Sequence, residues 1–186
     1  MRRALLPLLL VSASCTSEAP APDGNAAGPA AAPARPSAGE VDRSQAGKPA
    51  PDTAFEDPDG EPVQLSSFEG KPLLLNFWAT WCGPCVKELP TLDRLSAAQA
   101  GRIQVVALSQ DSERGKVDAF LAQAKLTSLE PYLDRKMALM DSLGVQVLPT
   151  TILFDAVGRE VWRMVGEEDW QGVRAAALLK EATARR

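Results

Sequence analysis

The chain contains no histidine among its 186 residues. That absence removes His general bases, the Ser-His and Cys-His nucleophile pairs, and His-ligated metal centres. A basic excess is missing too: 20 Lys and Arg stand against 24 Asp and Glu, a net charge of -4 with a sequence pI of about 5.0. No positive field is available to hold a phosphate backbone, so nucleic-acid binding is not expected. Cysteine is scarce. Cys15, Cys82 and Cys85 are the only strong redox or soft-metal candidates. What the chain does have is 45% hydrophobic and 24% charged residues, an ordinary balance for one soluble domain with extensions.

The first fifty residues read as an address and a tether. Met1-Arg2-Arg3 is followed by an apolar run to Val11 and then by Ser12-Ala13-Ser14-Cys15. Two positive charges, a short apolar core and small residues form the pattern of a secretory signal over 1–15. The run is far shorter than the roughly 20 residues a spanning helix needs, and Pro7 interrupts it. Cys15 occupies the place of a lipidation cysteine, with Ser12 departing from the apolar residue usual there; cleavage near Ala13 or Ser14 without lipidation is the alternative. Residues 16–50 are dominated by Ala, Pro and Gly and lack Leu, Ile and aromatics, so they are expected to form a disordered linker, a reaching tether or merely a spacer.

Residues 51–186 carry the apolar pattern of one packed domain. Residues 54–65 read as a hairpin turning at Asp59-Gly60. Leu73 to Ala79 is nearly all apolar and predicts a strand buried on both faces. A helix follows, with Val86, Leu89, Leu92 and Leu95 as its stripe and Pro90 inside it. A second buried strand spans Ile103 to Leu108, and helices are expected over 116–124 and 136–143. A strand pair around Ala156-Val157-Gly158 and a helix from Trp170 to Ala182, with Trp170, Val173, Ala177 and Leu178 inward, close the chain. Glu167-Glu168-Asp169 then reads as the acidic start of that helix. Alternating strands and helices imply an α/β domain with a central mixed sheet covered on both faces.

Cys82-Gly83-Pro84-Cys85 falls where the first long strand gives way to the first long helix. Unpaired N–H groups and the macrodipole at a helix N-terminus favour negative charge, so Cys82 is expected to ionise readily. Cys85, one turn on, is placed to attack a mixed disulfide formed at Cys82. A zinc site would need a second cysteine pair or histidines, neither of which exists. A purely structural disulfide would staple a two-residue loop and constrain little chain.

Asn76-Phe77-Trp78-Ala79-Thr80-Trp81-Cys82-Gly83-Pro84-Cys85, followed by Glu88-Leu89-Pro90, resembles the thioredoxin-like family, and within it the exported TlpA/ResA/CcmG branch of thiol–disulfide oxidoreductases. The resemblance covers about residues 51–186, and the hairpin ahead of the core strand is similar to that branch. It implies a thioredoxin-like fold with an added N-terminal β-hairpin. It implies a cis-proline facing the disulfide, at Pro149 in Gly144-Val145-Gln146-Val147-Leu148-Pro149-Thr150-Thr151, and a substrate-backbone contact at Leu148. Asn76 stands where thioredoxin itself carries a titrating Asp, and Glu88 matches the branch's carboxylate, a proton shuttle for the thiols. Trp81, Gly83 and Pro84 shape the site, Trp78 is core, and Ser109-Gln110-Asp111 is placed to rim it.

These residues predict an exported protein on the periplasmic side of a membrane, held there by a lipid anchor, that reduces disulfides in client proteins. The resemblance implies a membrane electron donor of the DsbD or CcdA type, and clients in cytochrome c or copper-site maturation. Neither metal nor cofactor is expected, because the dithiol itself carries the electrons. Two rivals share the general fold. Peroxiredoxin-type thiol peroxidases place Thr or Ser three residues before the nucleophile, where this chain has Ala79. Sco-like copper modules need a wider cysteine spacing and a His ligand.

Overall fold

In the computed structural model, residues 39–183 are described. An eight-stranded mixed sheet forms the centre. Its strands are β1 (Val41–Asp42), β2 (Phe55–Glu56), β3 (Pro62–Val63), β4 (Leu73–Trp78), β5 (Gln104–Ser109), β6 (Tyr132–Leu133), β7 (Thr150–Phe154) and β8 (Glu160–Val165). They lie side by side in the order β1-β8-β7-β4-β5-β6-β2-β3. β4 pairs in parallel with β5 and antiparallel with β7, which places it in the middle. All six of its residues are buried, as a strand covered on both faces requires.

Among the described residues four α-helices, α1 (Gly83–Gln99), α2 (Arg114–Ala124), α3 (Ala138–Ser142) and α4 (Val173–Lys180), complete the layers. The period-2 alternation of β4 divides the core. Leu74 and Trp78 join Leu89, Leu92 and Leu95 of α1, Val117 and Leu121 of α2, and Leu178 and Leu179 of α4. Leu73, Leu75 and Phe77 face the opposite way, onto Phe55, Leu65, Phe68 and Leu139. Asn76 lies between Leu74 and Trp78 in this alternation and therefore points to the α1 side.

The expected hairpin is present. Phe55 pairs with Val63 and Glu56 with Pro62. Asp57 Oδ1 accepts from the Asp59 and Glu61 amides, fixing the turn.

Three expectations are corrected. Residues 39–50, which composition assigned to the linker, lie along the sheet. Val41 pairs with Met164, and the Gly39 and Gly47 amides donate to Val165 and Glu160 carbonyls at 2.7 and 2.8 Å. Backbone pairing needs no bulky side chain, so composition does not register it. The last helix begins at Val173, which is 89% exposed, and its buried stripe is Ala175, Leu178 and Leu179 rather than Val173 and Ala177. Glu167-Glu168-Asp169 accordingly belongs to the loop before α4, not to the helix. In α2, Val117 and Leu121 are buried but Ala124 is exposed. The expected signal segment, with Cys15, and the linker as far as residue 38 lie outside the described residues.

Candidate active site

β4 runs out at Trp78, and four residues later Cys82 caps α1. Cys82 has extended backbone angles, φ -92° and ψ 102°, and its sulfur accepts from the Cys85 amide at 3.4 Å. That is the N-cap role, played by sulfur instead of oxygen. Pro84 falls in the first turn, where its missing N–H leaves no intrahelical partner wanting. Cys82 and Cys85 form a disulfide, S–S 2.04 Å and Cα–Cα 5.3 Å.

The two sulfurs are not equivalent. Cys82 retains 7% exposure and lines a groove of about 290 Å³, together with Trp81, Met137, Met140, Gln146 and Leu148. Cys85 is fully buried in the α1 cluster. Trp81 is 65% exposed beside the groove. Gly83 and Pro84 are exposed at the helix start. The Leu148–Pro149 peptide is cis, and Leu148 brings the segment before β7 to the groove.

Glu88 lies three residues beyond Cys85, on the same face of α1. It is buried at 3% exposure. Asn76 Nδ2 donates to its Oε1 at 2.6 Å, and the Glu168 amide donates to its Oε2 at 3.0 Å. The Trp170 indole N–H faces the same carboxyl and favours its charged form, though without good hydrogen-bond geometry. Burial outweighs these donors and pushes Glu88 up to about 7. A carboxyl there exchanges its proton near neutral pH, which general acid–base work demands. Asn76 is paired in register with Thr151 and also donates to its Oγ1 at 3.0 Å. Its own Oδ1 is buried and has no hydrogen-bond partner.

The loop carrying the cysteines is tied down from β5. Asp111, buried, accepts from the Thr80 amide at 2.9 Å and the Thr80 hydroxyl at 2.7 Å, and also from Ser109 Oγ at 2.8 Å. The expected rim thus acts from beneath the loop, steadying Thr80 ahead of Trp81 and Cys82.

The structure therefore brings Asn76, Trp81, Cys82, Gly83, Pro84, Cys85 and Glu88 to one end of β4 and α1, with Leu148 on the groove and Pro149 buried behind it in the chain. Sequence reasoning missed Met137, Met140 and Gln146 on the groove wall, Thr151 beside Asn76, and the Glu168–Trp170 segment against Glu88. Register alternation along β7 would have found Thr151. The loop contacts leave no periodic signal.

The redoxin family model matches residues 45–179. The thiol–disulfide oxidoreductase ResA of Bacillus thuringiensis (strain Al Hakam) is 33% identical over 130 residues, 69% of this chain and 75% of that protein. The chain belongs to the redoxin family and is a thiol–disulfide oxidoreductase. The thioredoxin-like protein YneN of Bacillus subtilis (strain 168) is 37% identical to this oxidoreductase over 117 residues, 61% of the chain and 68% of YneN. A solved chain from Chlorobium tepidum, described as a thiol:disulfide interchange protein DsbE, superposes on it with a TM-score of 0.62. It is 33% identical, and the match covers 75% of the oxidoreductase and 96% of that chain. The thioredoxin-like α/β architecture expected from the motif is thereby established.

Proposed function

We propose that this oxidoreductase works as a reductase of client-protein disulfides on the periplasmic side of a bacterial membrane. The observation that carries the reading is the unequal burial of its two sulfurs: Cys82 at a helix N-terminus opens to a groove, whereas Cys85 is sealed beside Glu88.

In the reduced protein the Cys82 thiolate is favoured by the N-terminal amides of α1. It attacks one sulfur of a client disulfide. A Cys82–client bond forms, the client S–S bond breaks, and the other client sulfur leaves as a thiolate that takes a proton from water. The Glu88 carboxylate then accepts the Cys85 proton. Cys85 attacks the Cys82 sulfur, the second client thiolate departs, and the Cys82–Cys85 disulfide is restored. Two electrons have passed to the client. The step needs a carboxyl that is charged when Cys85 ionises and protonated when the dithiol is regenerated, and a Glu88 titrating near 7 suits both.

The groove supports a client held in extended form, with main-chain groups of the Leu148 segment beside the attacked bond and Trp81 and the two methionines around it. The secretory pattern of 1–15 supports export, and Cys15 supports a lipid anchor on the periplasmic side. Re-reduction then falls to a membrane dithiol donor of the DsbD or CcdA type. The clients are exported chains whose cysteine pairs must be thiols to receive haem or copper.

The Gly-Pro pair between the cysteines is that of thioredoxin, whose potential is about -270 mV. The test is the equilibrium potential of the Cys82–Cys85 couple, read by tryptophan fluorescence across dithiol buffers. Trp78 is buried at the end of β4 and Trp81 adjoins Cys82, so both are close reporters. A value near or below about -270 mV is expected. A value near the roughly -120 mV of a strong oxidant would make the protein a disulfide donor and overturn the reading.

A further inference from the structure

The loop from Gly166 to Gly172 joins β8 to α4 and closes over Glu88. Its path is tightly specified. Gly166 has φ +99°, a left-handed value that disfavours side chains, and a Cβ on Gly172 would sit 3.0 Å from the Asp169 carbonyl oxygen. Three contacts stitch the loop to α1. The Glu168 amide donates to Glu88 Oε2 at 3.0 Å, the Trp170 amide donates to Thr91 Oγ1 at 3.2 Å, and Gln171 Nε2 donates to the Thr91 carbonyl at 3.2 Å. Thr91 in turn donates to the Glu88 carbonyl at 2.8 Å.

The Glu168 side chain turns away from Glu88. Its Oε1 accepts from the Asp169 amide at 3.1 Å, and its Oε2 lies 3.0 Å from Arg174 Nη1 on α4, an ion pair by proximity without hydrogen-bond alignment. Arg174 also donates to the Gly39 carbonyl and approaches Met164 Sδ at 3.6 Å. The pair thus joins the loop to α4, to β8 and to the segment entering β1. Glu168 is largely buried and Arg174 half exposed, so the pair is partly shielded from solvent.

We propose that Glu168 and Arg174 are positioning residues for the redox reaction: their ion pair locks the loop so that the Glu168 amide stays hydrogen-bonded to the Glu88 carboxylate during its proton exchange with Cys85. This rests on the reading of Glu88 as the proton acceptor. Glu88 meets charge from few directions. The loop brings Glu167, which opposes its ionisation, and Glu168; α4 brings Arg174; β4 and β7 bring the neutral Asn76 and Thr151; its own helix brings Cys85, uncharged in the disulfide, and the exposed Lys87. An amide donating to a carboxylate favours the charged form, so a loop whose amide shifts off Glu88 while the carboxyl stays covered raises the proton affinity of Glu88.

Two variants separate positioning from simple electrostatics. Arg174→Met removes a positive charge, and both positioning and electrostatics move the Glu88 midpoint upward. Glu168→Gln removes a negative charge, for which electrostatics alone moves the midpoint down, whereas loss of the ion pair moves it up. The experiment follows the ¹³C shift of the Glu88 side-chain carboxyl against pH in the oxidised full-length protein, assigned by its disappearance in Glu88→Gln. Both variants are expected to raise the midpoint by about one pH unit, and Arg174→Lys to return it toward the parent value. The disulfide-reduction rate at pH 6 then falls about tenfold in both and converges with the parent above pH 9. A Glu168→Gln midpoint that is unchanged or lower overturns the proposal, as does a uniform loss of rate at every pH. The failure of the underlying reading looks different. In that case Glu88→Gln leaves the pH–rate profile intact, while the carboxyl titration still reports whether the pair holds the loop.

Discussion

Replacing Glu88 by Gln should remove a pH-dependent strain from the fold. The ordinary Glu value of 4.5 and the folded value of about 7 differ because burial penalises the carboxylate. Between those values the folded protein holds a proton that the unfolded chain has released, so stability falls as pH rises through the interval. At 1.36 kcal/mol per pH unit, the gap comes to about 3 kcal/mol, present as extra stability below pH 4.5 and gone above pH 7. Gln cannot titrate, so the variant lacks this slope. It carries a constant penalty instead. Both Glu88 oxygens accept a hydrogen bond, from Asn76 and from the Glu168 amide, and Gln offers one oxygen. One donor is left facing an amide nitrogen, at a cost of about 1–3 kcal/mol. The variant is therefore expected to be less stable than the parent at pH 4.5 and equal or more stable at pH 8. Urea unfolding of the oxidised proteins at half-unit pH steps gives the difference curve, in which contributions common to both cancel. A difference that stays flat within about 0.5 kcal/mol from pH 4.5 to 8 would refute the assignment of a raised proton affinity to Glu88.

The two cysteines should fail in different ways. Cys85→Ser is expected to accumulate a mixed disulfide through Cys82 with an extended peptide disulfide, visible by non-reducing mass analysis, while Cys82→Ser accumulates none; equal trapping by both would contradict the burial asymmetry. Asn76→Asp puts a second carboxylate in place of the donor 2.6 Å from Glu88, so the pair should titrate in two steps, the upper one above the parent midpoint. A single unshifted step in the carboxyl titration would show that the two groups do not face each other. Asp111→Ala removes the acceptor for the Thr80 amide and hydroxyl and for Ser109 Oγ. A loss of about 2–3 kcal/mol is expected, with faster amide exchange at Thr80, and unchanged exchange there would separate Asp111 from the active-site loop.

Where residue types repeat or collide with local backbone rules, the sequence was a good guide. The unbroken run Leu73 to Trp78 had to be a central strand, and Cys82-Gly83-Pro84-Cys85 had to open a helix, because proline and the sulfur cap both belong there. The match of Pro149 to a cis-proline segment also agrees with the structure. Three of the misreadings share a cause, which is contact made by backbone. Val41–Asp42 is too short to show a period and sits in Ala, Pro and Gly-rich chain, yet it pairs with β8. Tyr132–Leu133 pairs with both β5 and β2 in the same way. The start of α4 was set too early because Trp170 is buried at 2% while lying outside the helix, so its apolarity mimicked a helix position. Glu168 reads in sequence only as part of an acidic helix start, because what reaches Glu88 is its amide, which every residue has.

The strands are shortest at the margins of the sheet. β4, β5 and β8 have six residues each, whereas β1 and β3, at the two margins, have two each, and β3 begins with Pro62, which has no N–H to offer. A neighbouring molecule that tried to extend this sheet would find only a few main-chain groups at either margin, too few to offset the entropy of ordering its own segment. On the proposed function, a catalyst whose clients are exported chains with free backbone is exposed to that hazard at every turnover. Clipped margins let such chains be gripped at the sulfur and released, rather than be recruited as a ninth strand.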